Sequence, residues 1–79
     1  MWVNTRTVPT EGAWSNRWME LWNQELSAAQ VRYANLMIYD WAAVAETSWF
    51  AVDGIHYTTK GYTQRAALVA NALAECYPG

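Results

Sequence analysis

A chain of 79 residues holds one domain at most, and a small one for an α/β domain. With 53% apolar residues it is composed to fold, and a formal net charge of -2 with scattered basic residues gives no nucleic-acid footprint. The single cysteine, Cys76, excludes an intrachain disulfide and reads as packing or incidental exposure, and no apolar run approaches the roughly 18 residues that cross a bilayer.

Residues 1–5, Met-Trp-Val-Asn-Thr, suit a strand. A domain rarely opens inside a strand, so the chain reads as part of something longer. No charged stretch followed by an apolar core marks a signal peptide. Residues 6–12 contain Pro9 and Gly12 and read as a loop. Residues 14–30 carry a helical period, with Trp14, Trp18, Leu21, Trp22 and Leu26 on one broad face and Glu20, Asn23, Gln24 and Ser27 on much of the rest. Ser15 or Asn16 suits the N-cap. The apolar face is expected to pack on a sheet. A membrane-surface helix is the competing reading, but such helices carry a basic polar face, and here Arg17 is set against Glu20 and Glu25.

Residues 31–35 close that helix. Residues 36–41, Leu-Met-Ile-Tyr-Asp-Trp, form a short, nearly continuous apolar run, the pattern of a strand covered on both faces in a parallel sheet. Two strands with a helix between them make a βαβ crossover, expected to be right-handed. Residues 42–46 suit a short helical turn. Residues 62–75 form the clearest helix, with Tyr62, Ala66, Val69, Ala70 and Leu73 as its apolar face and many alanines permitting close packing on a sheet. Thr58 or Thr59 is the expected N-cap, and Pro78 and Gly79 the stop. The order β-α-β-loop-α leaves two strands with faces and edges to cover, so a further segment, a companion chain or self-association is expected. The six Trp and five Tyr point the same way, because a globule this small cannot bury them all.

The chemistry concentrates between the second strand and the last helix, in Asp53-Gly54-Ile55-His56-Tyr57-Thr58-Thr59-Lys60-Gly61-Tyr62, which holds the sole histidine. A histidine is the simplest general base near neutral pH, and a carboxylate accepting from one ring nitrogen orients the other toward a nucleophile. Gly54 suits a sharp turn that brings Asp53 and His56 together, and Gly61 a close approach of the following helix to its neighbours. Spacing alone is a weak signal, since a turn-capping Asp and a His packed on Tyr57 give the same pattern. One histidine with Asp53, Asp40 or Glu46 is a poor metal site, and no phosphate loop is present. Trp41, Trp49 and Phe50 either line an acyl or sugar pocket or pack the loop onto the sheet. Asp40 lies at a strand's C-terminal end, where α/β sites gather, but a cap of the following turn is preferred.

The ten-residue block and the helix after it resemble the closing conserved block of the SGNH (GDSL-like) hydrolase superfamily, which reads Asp-Gly-aliphatic-His-aromatic or Leu-Thr-Pro-x-Gly. Asp53, Gly54, Ile55, His56, Tyr57, Thr58 and Gly61 match, and Thr59 stands where Pro is common. Residues 36–41 resemble the family's last core strand and residues 1–5 the strand before it, so the likeness spans essentially the whole chain. It is nearest to bacterial members, including domains attached to membrane acyltransferases.

The resemblance implies the C-terminal β-α-β-α portion of a flavodoxin-like three-layer α/β/α sandwich with a parallel sheet. It also implies an ester hydrolase or acyltransferase in which His56 is the general base and Asp53 orients it, with no metal or organic cofactor. Its partner would be an ester or acyl-group substrate, with no nucleic acid and no direct membrane insertion. Cellular location stays open, a secreted or extracytoplasmic parent being one option. The family's Gly-Asp-Ser nucleophile block, oxyanion-hole Gly and Gly-Asn-Asp block are absent from these 79 residues. Of the serines Ser15, Ser27 and Ser48, none sits in a nucleophile turn. The chain by itself is therefore expected to be inactive, the alternative being a non-catalytic remnant or interaction module.

Overall fold

The computed structural model describes residues 1–76. Two strands and three helices follow in the order β1 (Trp2–Val3), α1 (Asn16–Arg32), β2 (Ile38–Tyr39), α2 (Trp41–Val44) and α3 (Thr59–Cys76), with a 3-10 turn at Thr47–Trp49 between α2 and α3. β1 and β2 run parallel, Trp2 opposite Ile38 and Val3 opposite Tyr39. This is a small α/β domain whose β-α-β unit has the expected order. The expected stop at Pro78 and Gly79 lies outside the described residues.

Both strands are shorter than the apolar runs that announced them. The second ends where Asp40 takes the N-cap of α2, its Oδ1 accepting from Ala43 N at 3.2 Å and from Asn4 Nδ2 at 2.8 Å. Asn4 Oδ1 in turn accepts from Ala42 N at 2.8 Å. These paired side chains turn the backbone into a helix at Trp41, so that residue starts α2 instead of finishing the strand. Asp40 is thus the cap that the sequence favoured. α3 begins earlier than expected because Thr58 caps it, its Oγ1 accepting from Gly61 N at 3.0 Å.

The enclosed core is aromatic and lies around α2 and the 3-10 turn. Trp41, Ala45, Trp49 and Phe50 are buried, with Val3, Tyr39, Tyr57 and Leu68 packed against them. Trp41 is fully buried, stacked on Trp49 at 5.8 Å between ring centroids and met edge-on by Tyr57 at 5.7 Å. Its Nε1 donates to Tyr57 Oη at 3.0 Å, and the Arg65 guanidinium lies 5.6 Å from the ring centroid. α3 meets this core through Gly61, Arg65 and Leu68, so of the face expected from Tyr62, Ala66, Val69, Ala70 and Leu73 only Val69 is half-buried and Tyr62 touches the core's edge, its ring 5.1 Å from that of Tyr57. Tyr62, Ala66, Ala70 and Leu73 are exposed.

α1 departs further from expectation. Of its expected apolar face only Leu26 is buried, while Trp14, Trp18, Leu21 and Trp22 are exposed. The reason is in the backbone of the segment after β1. Asn23 accepts from Thr5 N at 3.0 Å and donates to Thr5 O at 2.7 Å, acting as the strand partner that Thr5 lacks. Two turns earlier on the same side, Asn16 Oδ1 accepts from Thr7 N at 3.0 Å. Partly buried backbone groups must be paired, and these two amides do it only if their side of the helix turns inward. Met19 and Leu26 come in with them, and the tryptophans are carried outward. Ser15, at the N-cap position, makes no capping hydrogen bond with its side chain.

This arrangement predicts an order of stability opposite to the one periodicity suggests. Asn23→Ala, which strands both polar groups of Thr5, is expected to cost about 1–3 kcal/mol. Trp18→Ala in dilute solution is expected to change stability by no more than about 0.5 kcal/mol. Urea unfolding followed by circular dichroism measures both.

Candidate active site

The loop between the 3-10 turn and α3 is a tight antiparallel excursion. Phe50 and Tyr57 form a bridge across its neck, and Ala51 N donates to His56 O at 2.7 Å. At the tip Gly54 N donates to Ala51 O at 2.9 Å, and Gly54 takes φ +71°, a left-handed conformation that favours glycine. A side chain there would also crowd the preceding loop, since a Cβ on Gly54 would stand 2.9 Å from Val8 Cβ and from Pro9 Cδ. The same contact is closed by Val8 N donating to Gly54 O at 2.9 Å.

This turn brings Asp53 and His56 together. Asp53 Oδ1 accepts from the backbone N–H groups of Ile55 at 2.8 Å and His56 at 3.0 Å, while Oδ2 lies 2.6 Å from His56 Nδ1. One carboxylate oxygen therefore fixes the turn and the other fixes the imidazole. The hydrogen bond from the His56 side chain, reinforced by the two backbone donors, holds the Asp53 carboxyl at about 2, below its ordinary 3.8. An ionised Asp53 makes Nδ1 the protonated nitrogen of the neutral ring and leaves Nε2 as the acceptor. The imidazole is 73% exposed and the carboxylate 44% exposed, so both face solvent at the rim of the fold.

The base of the loop is anchored at one carbonyl. Trp49 O accepts from Thr58 N at 2.9 Å and from Thr58 Oγ1 at 3.2 Å, and the same hydroxyl caps α3. Gly61 packs directly on this carbonyl. A Cβ there would collide with Trp49 O and come within 3.0 Å of the Trp49 carbonyl carbon and Cβ. Gly54, Thr58 and Gly61 thus each hold the loop in a distinct way: a positive φ, a double-sided cap and a bare contact. Two further residues, neither singled out by spacing, hold its surroundings. Arg6 donates to Ala45 O and, at 2.9 Å, to Thr47 Oγ1, and its guanidinium lies 5.8 Å from the Phe50 ring centroid. Tyr57 ties the loop to Trp41.

Trp41, Trp49 and Phe50 do not line an opening. They are the buried core, and no cavity opens among the described residues. Their rings fill the space beneath the loop, so of the two readings of these aromatics the structure takes the packing one. Ser15 is buried at the start of α1, and Ser27 and Ser48 are exposed. Among the described residues no serine hydroxyl is hydrogen-bonded to His56, and no three His, Cys, Asp or Glu side chains gather as a metal site would require. No helix among the described residues is long and apolar enough to cross a membrane. No known protein family, curated protein or solved structure matches this chain.

Because the Asp53 carboxyl titrates near 3.8 unfolded and near 2 folded, its contribution to stability is whole above about pH 3.8 and lost as pH falls through 2. Asp53→Asn is therefore expected to flatten the loss of stability over that acid window, measured by thermal unfolding at stepped pH. In nitrogen NMR the same substitution is expected to weaken the preference for the Nδ1–H form of His56. Gly61→Ala is expected to destabilise the chain by about 1–3 kcal/mol, since the clash is with backbone.

Proposed function

We propose that this chain carries the acid–base end of an SGNH-type ester hydrolase or acyltransferase. In this reading it is the C-terminal β-α-β-α part of a flavodoxin-like sandwich, and the serine and oxyanion donors come from a segment outside these 79 residues. The observation behind the proposal is the Asp53–His56 pair: Oδ2 and Nδ1 at 2.6 Å, on a turn stapled by both Asp53 oxygens, with Nε2 on the outer side of the ring. The pair stands just ahead of α3, where the resemblance to the family's closing block places it.

The chemistry follows from the tautomer. Asp53 holds the proton on Nδ1, so Nε2 takes the proton of a serine hydroxyl as its oxygen attacks an ester carbonyl. The imidazolium that forms is balanced by the Asp53 carboxylate. His56 then returns the proton to the leaving alcohol and activates water, or an acceptor hydroxyl in a transferase. The exposed ring suits such a role only when a second segment covers it, because a base works best where water is excluded. An interaction module of the same fold is the second reading, and the outward tryptophans of α1 favour it.

Hydrolysis of a short-chain p-nitrophenyl ester tests the proposal. The 79-residue chain is expected to be inactive, and the chain joined to an upstream Gly-Asp-Ser segment active. His56→Ala or Asp53→Asn is expected to lower that activity about 10³–10⁴-fold. A folded joined protein that neither hydrolyses esters nor transfers an acyl group to an added alcohol would overturn the reading.

A further inference from the structure

The face of α1 turned away from the sheet has a charge pattern that fits a second copy of itself. Trp18 and Trp22 are about half exposed and Leu21 is 43% exposed; Trp18 and Leu21 lie on the helix side opposite Asn23, and Trp22 on the flank beside them. Singly exposed apolar residues need no explanation, but two tryptophans and a leucine within five positions of one helix form a contiguous patch. Arg17 lies four residues before Leu21 and Glu25 four residues after it, and both are exposed. The Arg17 guanidinium rests 5.7 Å from the Trp18 ring centroid, so the positive charge sits on the apolar patch.

An antiparallel helix pair with its two-fold axis at Leu21 brings residue 21−n of one copy opposite residue 21+n of the other. Leu21 then meets Leu21, and Arg17 meets Glu25 of the second copy. A two-fold contact is self-complementary, so each such pair occurs twice. The antiparallel sense also opposes the two helix dipoles favourably. An anionic membrane surface would instead meet Glu20 and Glu25.

We infer that the Trp18–Leu21–Trp22 face of α1 is a self-association surface, on which two copies of this chain pack antiparallel about Leu21 with Arg17 set against Glu25. The two half-exposed tryptophans with Leu21 bury on the order of 300 Å² per copy, well under the roughly 800 Å² of a standard interface, so the dimer is a concentration-dependent one.

Sedimentation velocity of the 79-residue chain over a range from low micromolar to several hundred micromolar tests this, with circular dichroism checking that each variant stays folded. The expected result is a reversible monomer–dimer equilibrium. Arg17→Glu and Glu25→Arg, each placing like charges opposite one another, are expected to weaken it about tenfold apiece, and the double swap to restore it. Trp18→Ala with Trp22→Ala is expected to leave a monomer at every concentration. A wild-type chain that stays monomeric throughout overturns the inference and leaves the tryptophans to a different partner. Dimerisation that the tryptophan variant retains, or that the double swap fails to restore, overturns this face or this geometry.

Discussion

The placement of Trp41 is the constraint on which the loop and the helices depend. It is the one fully buried large side chain among the described residues, and the 3-10 turn, the loop and α3 all touch it. Trp49 of the 3-10 turn stacks on one side, Tyr57 of the loop meets its edge and accepts its N–H, and Arg65 of α3 lies over its ring. A ring held this way fixes three segments relative to each other, because an aromatic core packs at close to crystal density and has little freedom to rearrange. The Asn4–Asp40 pair is what directs this ring inward, by ending β2 two residues before it.

From that core the loop is built outward by hydrogen bonds rather than by burial. Trp49 O gathers the backbone and hydroxyl of Thr58, Thr58 caps α3, and Gly61 sits against the same carbonyl. The result is a rigid base carrying an exposed tip. Asp53 and His56 are precise in their mutual geometry and open to solvent in their surroundings. That combination is an oriented base without an enclosed site.

The same imbalance runs through the whole molecule. The fold extends 37 × 26 × 14 Å, thin along its short axis, and its buried apolar cluster is Trp41, Ala45, Trp49 and Phe50. Among the described residues Trp49 Nε1 is buried without a hydrogen-bond partner, and large aromatics lie open on α1. A two-stranded sheet has too little surface to bury helices on both faces. The outward face of α1 is therefore the direct consequence of a short sheet whose unpaired backbone claimed the helix's amide side first.

What the sequence by itself determined is the local order. The β-α-β sequence of elements, the loop carrying Asp53 and His56, the cap at Thr58 and the needs met by Gly54 and Gly61 were all legible. Each rests on residues close together in the chain, where turn chemistry and capping act over three or four positions. What only the tertiary structure decided is which side of each helix faces in, and which aromatics are core. Periodicity locates an apolar stripe, but Thr5 and Thr7 lie 18 and 9 residues from the asparagines that pair with them, and nothing local announces those bonds. Trp41, Trp49 and Phe50 read equally as pocket or packing until Tyr57, Arg65 and Leu68 close around them. Unsatisfied backbone outranked hydrophobic stripe in α1, and that is a contest that only the assembled chain can resolve.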